Sequence, residues 1–162
     1  MNAVIENLSQ FSDLQILLSS ILLLLQGMVL GVFPEESIIL ALGAFWGKGK
    51  VEFWQAFLAI QLGLLPANLG LVFIGRTFGT RCLQVPPFKW LNGSGAVERA
   101  LVKVKKNSRL TIALTRFTPF VRAPVYFAVG LSGFKLSSFL KIDALASLLQ
   151  ISILLAVGRH FT

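Results

Sequence analysis

"RFTPFVRAPVYFAVG", residues 116–130, is the stretch on which the fold turns. Arg116, Pro119, Arg122 and Pro124 interrupt a run otherwise built from Phe, Val, Ala, Tyr, Thr and Gly, and the apolar runs on either side are long enough to be membrane spans. An arginine at bilayer depth costs about 2.5–3.5 kcal/mol on insertion scales, so a pair of them demands compensation. On an unbroken helix the two side chains would stand about 240° apart. Two prolines argue against an unbroken helix, and a broken segment can turn both guanidiniums into one pocket.

The composition fixes the solvent. The chain has 162 residues, 55% of them hydrophobic and only 14% charged, with a mean hydropathy of +0.76. A soluble domain carries about 25% charged residues, and a chain of this size cannot hide so much apolar surface from water. The net charge of +8 is therefore assigned to the positive-inside rule and not to nucleic acid. One cysteine, Cys82, rules out a disulfide within the chain; with one histidine, His160, it argues against a metal site and a Cys/His nucleophile pair. No phosphate-binding loop, dinucleotide fingerprint or hydrolase elbow is present. The expectation is a protein that is not an enzyme and needs no cofactor or metal. Glu6 and Asp13 are the only charges near the N-terminus, where a signal peptide would be basic, so the first apolar run reads as a retained span.

Read outward from residues 116–130, the chain divides into six segments of one all-α, polytopic membrane domain over residues 1–162. Residues 14–33 form an uncharged N-terminal transmembrane helix. Residues 34–47, "PEESIILALGAFWG", are too short to span; the length suggests a re-entrant or interfacial element, and the expectation is a re-entrant hairpin. Residues 53–75 form a second span, interrupted by Pro66 and Asn68. Residues 76–109 hold eight of the fifteen basic residues against one acid, Glu98, and read as a cytoplasmic loop with a short amphipathic helix capped by Ser94, its basic face against anionic headgroups; the alternative is a solvated loop that only sets topology. Residues 110–133 form the second hairpin. Residues 139–158 form the last span, with Lys141 and Asp143 near its first turn.

Two parts of the chain echo each other. Pro34, Glu35 and Glu36, then "ALG" at 41–43, Phe53 and "IGRTF" at 74–78 are followed later by Pro119, Arg122, "AVG" at 128–130, Phe139 and "VGRHF" at 157–161. If each hairpin enters and leaves on one side, each repeat crosses the membrane once, and the second is inverted relative to the first. Inverted repeats whose broken elements meet near the midplane are a plan of secondary transporters.

Candidate site residues follow from chemistry. Arg116 and Arg122 offer planar forks of donors suited to phosphate, with Pro119 and Pro124 breaking the backbone around them. Snorkelling to headgroups or structural pairing are the alternatives. Glu35 and Glu36 are natural ion-pair partners, or proton carriers in a transport cycle; the alternative is a helix start favoured by its dipole. Asp143 is a secondary candidate, paired with Lys141 or set near the interface. Asn68 suits a hydrogen bond between helices, and Trp46, Trp54 and Tyr126 suit the membrane interface.

"RFTPFVRAPVYFAVGLSGF" resembles the motif of the DedA family, within the wider VTT-domain (SNARE-associated Golgi-type) superfamily, through Arg116, Phe117, Pro119, Arg122 and Gly130. "FPEESIILALGAF" is similar to that family's first hairpin through Pro34, Glu36, Ser37 and Gly43, and "IGR" at 74–76 to its Gly-Arg. The family's further acid before the first hairpin is absent, Gln26 being the nearest polar residue, and its Gly-Asp ahead of the Gly-Arg is replaced by Asn68 and Val72. The resemblance covers residues 20–160. It implies paired re-entrant hairpins, a bacterial inner-membrane location, and movement of polyprenyl phosphates or phospholipids, in some members tied to the proton-motive force. The implied partners are lipids with phosphate headgroups, with a homo-oligomer compatible and no nucleic acid. A flippase or scramblase is thus the leading expectation, against a proton-coupled transporter of a small solute or ion and a scaffold that transports nothing.

Overall fold

The computed structural model describes residues 13–25, 35–86, 88–92, 95–118 and 121–160. Among these the regular structure is entirely helical: α1 (Asp13–Leu25), α2 (Glu35–Gly47), α3 (Phe53–Phe78), a 3-10 segment (Gly79–Gln84), α4 (Lys89–Asn92), α5 (Ala96–Thr115), α6 (Arg122–Leu131) and α7 (Leu136–His160).

Two helical stretches, Phe53–Gln84 and Leu136–His160, are long and apolar enough to cross a membrane. Each is largely apolar on its exposed face and carries polar groups on the buried one. α3 buries Ala56, Ile60, Leu64, Asn68, Leu71 and Gly75 and turns Trp54, Leu58, Leu62 and Phe73 outward. α7 buries Asp143, Ser147 and Gln150 while Leu145, Leu148, Leu149 and Ile153 are exposed. Apolar surface outside and polar groups inside is the reverse of a water-soluble helix. α3 starts on a capping box, the Glu52 N–H donating to Gln55 Oε1 at 3.0 Å. Pro66 does not interrupt the helix, which runs through it to Phe78.

The short helices cross over to the long ones of the opposite half. α2 packs on α7 and α6 packs on α3. Both crossings are built on glycine pairs. A Cβ on Gly43 would lie 2.6 Å from the Leu155 carbonyl oxygen and 2.9 Å from Gly158 Cα, and one on Gly158 would strike Leu40 and Gly43. Gly75 meets Phe127, and Gly130 meets Val72 and Arg76, in the same way. Backbones in such contact gain dispersion and exclude lipid, which is how small residues drive association in a bilayer.

Several expected boundaries move. Of the span expected at 14–33, α1 accounts for Asp13–Leu25; residues 26–34, with Gln26 and Pro34, lie outside the described residues. The expected hairpin at 34–47 contains no reversal after Glu35, because Glu35–Gly47 is one unbroken helix; no proline lies within it, and Gly43 is spent on packing against α7. The expected loop at 76–109 is mostly helical. Val97, Ala100 and Val104 form a buried stripe on α5 that packs into the clusters of α6 and the 3-10 segment, while Arg99, Lys103, Lys105, Lys106 and Arg109 face outward. At Asn107 (φ −156°, ψ 88°) α5 breaks stride. The Asn107 side-chain oxygen accepts from the Leu110 N–H at 3.2 Å, so the asparagine caps a fresh start just before the apolar half of the helix. The N-cap of α5 itself is Gly95, at φ 61°; Ser94 is outside the described residues.

Candidate functional site

Arg116 and Arg122 stand at the C-terminal end of α5 and the N-terminal end of α6. Arg116 follows the last residue of α5, and the Phe117 and Thr118 N–H groups close back onto Leu114 and Thr115. Arg122 opens α6. Pro124 sits in the first turn of α6, where a missing N–H leaves no helical hydrogen bond unmade, so it starts this helix and breaks nothing. Pro119 lies outside the described residues.

Arg116 is fully buried, at 0% exposure. Its Nε donates to Asp143 Oδ1 at 2.8 Å and its Nη2 to Asp143 Oδ2 at 2.6 Å, the bidentate arrangement that suits a guanidinium to a carboxylate. Asp143, also 0% exposed, accepts two more hydrogen bonds: from Asn68 Nδ2 to Oδ2 at 2.9 Å, and from the Tyr126 hydroxyl to Oδ1. Four donors from α3, α6 and the turn after α5 thus converge on one carboxylate of α7. One turn along α7, Ser147 pairs with Gln61 of α3 at 2.9 Å.

Arg122 is turned the other way. Its Nη1 forms an ion pair with Glu35, and its Nη2 lies 3.8 Å from Glu36. Nη2 also donates to the Arg116 carbonyl at 3.3 Å and to Gln150 Oε1 at 3.4 Å. The first turn of α2 and the first turn of α6 therefore meet, although 86 residues lie between Glu35 and Arg122. Among the described residues, Arg116 Nη1 and Arg122 Nε make no hydrogen bond. A cavity of about 190 Å³ lies beside Arg116, lined by Glu36, Arg116, Phe117, Gln150, Ile153 and Leu154; Arg122 is not in its lining but contacts Glu36 and Gln150, which are.

The six described candidates fall into two linked groups, Arg116 with Asp143 and Arg122 with Glu35 and Glu36, with Pro124 behind Arg122. Asp143 does not take the partner expected of it: Lys141 is exposed, because residues two apart on a helix point to different faces. Tyr126 is no interface aromatic either; it is fully buried, with its ring edge-on to Phe139 at 4.9 Å. Trp46 is half-buried under the Arg159 guanidinium, 4.5 Å from the ring centroid, whereas Trp54 faces outward. Gln150 and Tyr126 are site members that residue-by-residue reading of the sequence misses. The spacing of Asp143, Ser147 and Gln150, one face of an apolar helix, is the available signal.

An uncharacterized membrane protein of Haemophilus influenzae is 22% identical to this chain over 134 residues, covering 82% of the chain and 57% of the relative. The chain thus spans little more than half the length of that relative. No solved structure matches it. The VTT domain family matches residues 33–160, which include both arginines, all three acids and every helix from α2 to α7. With most of its length matched in this way, the chain belongs to the VTT domain (DedA/SNARE-associated) family, a family of membrane proteins.

Proposed function

We propose that this protein is a flippase or scramblase that moves phosphate-bearing lipids, of the polyprenyl phosphate or phospholipid class, across the bilayer it occupies. The observation that carries the proposal is the buried Arg116, its Nη1 unsatisfied by any described residue, beside a cavity whose Glu36 and Gln150 also contact Arg122. A guanidinium keeps its charge at any working pH and fits phosphate oxygens through two parallel N–H groups. The cavity wall continues into Phe117 and Ile153, both about half exposed. An acyl or isoprenoid chain can lie against those residues in the bilayer while its phosphate reaches the arginines.

The arrangement of the helices supports a paired-repeat transporter. Glu35 lies eight residues before Gly43, and Arg122 lies eight before Gly130. Gly43 crosses onto Gly158, and Gly130 onto the turn of α3 that holds Gly75. α2–α3 and α6–α7 thus share the order of these features, and Glu35 and Arg122, of opposite charge, stand at like places in that order and in contact, which supports reading them as two repeats. We read the two halves as inverted in the membrane, α2 and α6 as arms of re-entrant hairpins, and the basic segment 76–109 as cytoplasmic in a bacterial inner membrane.

Glu36 is the acid that lines the cavity and the one that holds Arg122 least closely. The test is reconstitution in liposomes with labelled polyprenyl phosphate, phosphatidate and an uncharged diacylglycerol. Translocation of the first two above protein-free vesicles, and not of the third, is expected. Equal movement of all three, or uptake of a soluble ion or solute without lipid movement, would refute the proposal.

A further inference from the structure

Asp143 holds Arg116 by two hydrogen bonds along one edge of the guanidinium and leaves the rest of it free of the carboxylate. Its two oxygens accept four hydrogen bonds, two on each: Arg116 Nε and Tyr126 on Oδ1, Arg116 Nη2 and Asn68 on Oδ2. Asn68 directs its amide nitrogen at the carboxylate and leaves its own Oδ1 without a hydrogen bond from any described residue. The aspartate is therefore braced from α3 and α6 as well as from its own helix. The Arg116 guanidinium is held along one edge, Nε–Nη2, and Nη1 is the nitrogen that no described residue satisfies. Buried donors are almost always paired, and Arg116 is one of the six residues that line the cavity containing Gln150 and Glu36.

We propose that Asp143, braced by Asn68 and Tyr126, is a positioning residue that clamps one edge of the Arg116 guanidinium and thereby presents Nη1 to the cavity as the donor for an anionic lipid phosphate. The inference rests on the lipid-phosphate reading of that cavity. It gives the three polar residues one shared role. They do not touch the phosphate; they fix the direction of the group that does. Planar recognition needs such support, because a guanidinium free to rotate loses the geometry that favours it over an ammonium.

The test uses the purified full chain in detergent, as wild type, Tyr126→Phe, Asn68→Leu and Asp143→Glu. Hexadecyl phosphate is the probe, with hexadecanol and inorganic phosphate as controls, and binding is followed by calorimetry beside thermal unfolding. Arginine side-chain 15N spectra, assigned with Arg116→Lys, give a readout that a purely structural role leaves unmoved. In the wild type, hexadecyl phosphate should shift an Arg116 Nη resonance and leave Nε nearly unshifted. Tyr126→Phe and Asn68→Leu should each weaken binding to the folded protein by about five-fold, the value of one hydrogen bond, measured at a temperature where each variant remains fully folded. Asp143→Glu, which moves the carboxylate by one methylene, should weaken it further. Wild-type affinity in all three variants overturns the proposal, and so does loss of binding only in step with loss of folded protein. Absence of wild-type binding to hexadecyl phosphate, or binding of hexadecanol or inorganic phosphate with equal affinity, also overturns it. If the wild type binds hexadecyl phosphate as expected but moves no lipid in liposomes, the transport reading falls and the positioning role stands.

Discussion

Replacing Asp143 with alanine leaves the fully buried Arg116 without its counter-charge, the situation in which a broken buried pair destabilises by about 3–5 kcal/mol. Thermal unfolding in detergent should show that loss for Asp143→Ala, while the double variant Arg116→Met/Asp143→Leu should recover most of it and bind no lipid phosphate. Equal stability of Asp143→Ala and wild type would contradict the buried pair. Arg116, Arg122, Glu35 and Glu36 are legible in the sequence because a charge inside an apolar run is expensive and therefore conspicuous. The partner of Asp143 is not, since the neighbour in sequence, Lys141, points off another face and the true partner comes from the end of a different helix. Tyr126 is easily misjudged because an aromatic with a hydroxyl fits a membrane interface and a buried polar cluster equally well.

Helix crossings set the second scale. Gly43→Ala places a Cβ against the backbone of Leu155 and Gly158, where no flexible side chain can yield, and should destabilise by about 1–3 kcal/mol. Gly70→Ala, on the same kind of apolar helix but with nothing within 4 Å of the added carbon, should be neutral or stabilising. Thermal unfolding of the two side by side checks this, and similar losses at both positions would deny the crossing its special role. The long helices α3 and α7 are readable from length and hydropathy alone. Their interior is partly readable: Asn68 is expected to bond between helices and does so, to Asp143. The segment 76–109 reads as a loop because basic residues dominate its composition, and the small apolar stripe of Val97, Ala100 and Val104 that docks it is visible only as a spacing. The glycines of the two crossings can be located in the sequence but not matched, since nothing in a linear chain says that α2 seeks α7 and α6 seeks α3.

Across the whole molecule, eight exposed basic residues gather between Arg76 and Arg109, and the proposed orientation sets them on the cytoplasmic side. Cys82 is a free, partly exposed thiol in that segment, and Lys105→Cys adds an exposed one. A membrane-impermeant maleimide should label both only after cells are permeabilised; labelling from outside intact cells would invert the topology. Within that frame the central claim is that two buried guanidiniums receive the phosphate of a lipid in transit. The most direct measurement is translocation of labelled polyprenyl phosphate by liposomes carrying wild type, Arg122→Lys or Arg122→Ala at matched protein content and unfolding temperature. Bidentate phosphate recognition predicts a fast wild type, a lysine variant that inserts and folds but moves lipid slowly, and an alanine variant indistinguishable from empty vesicles. Wild-type rates in the alanine variant would contradict the account.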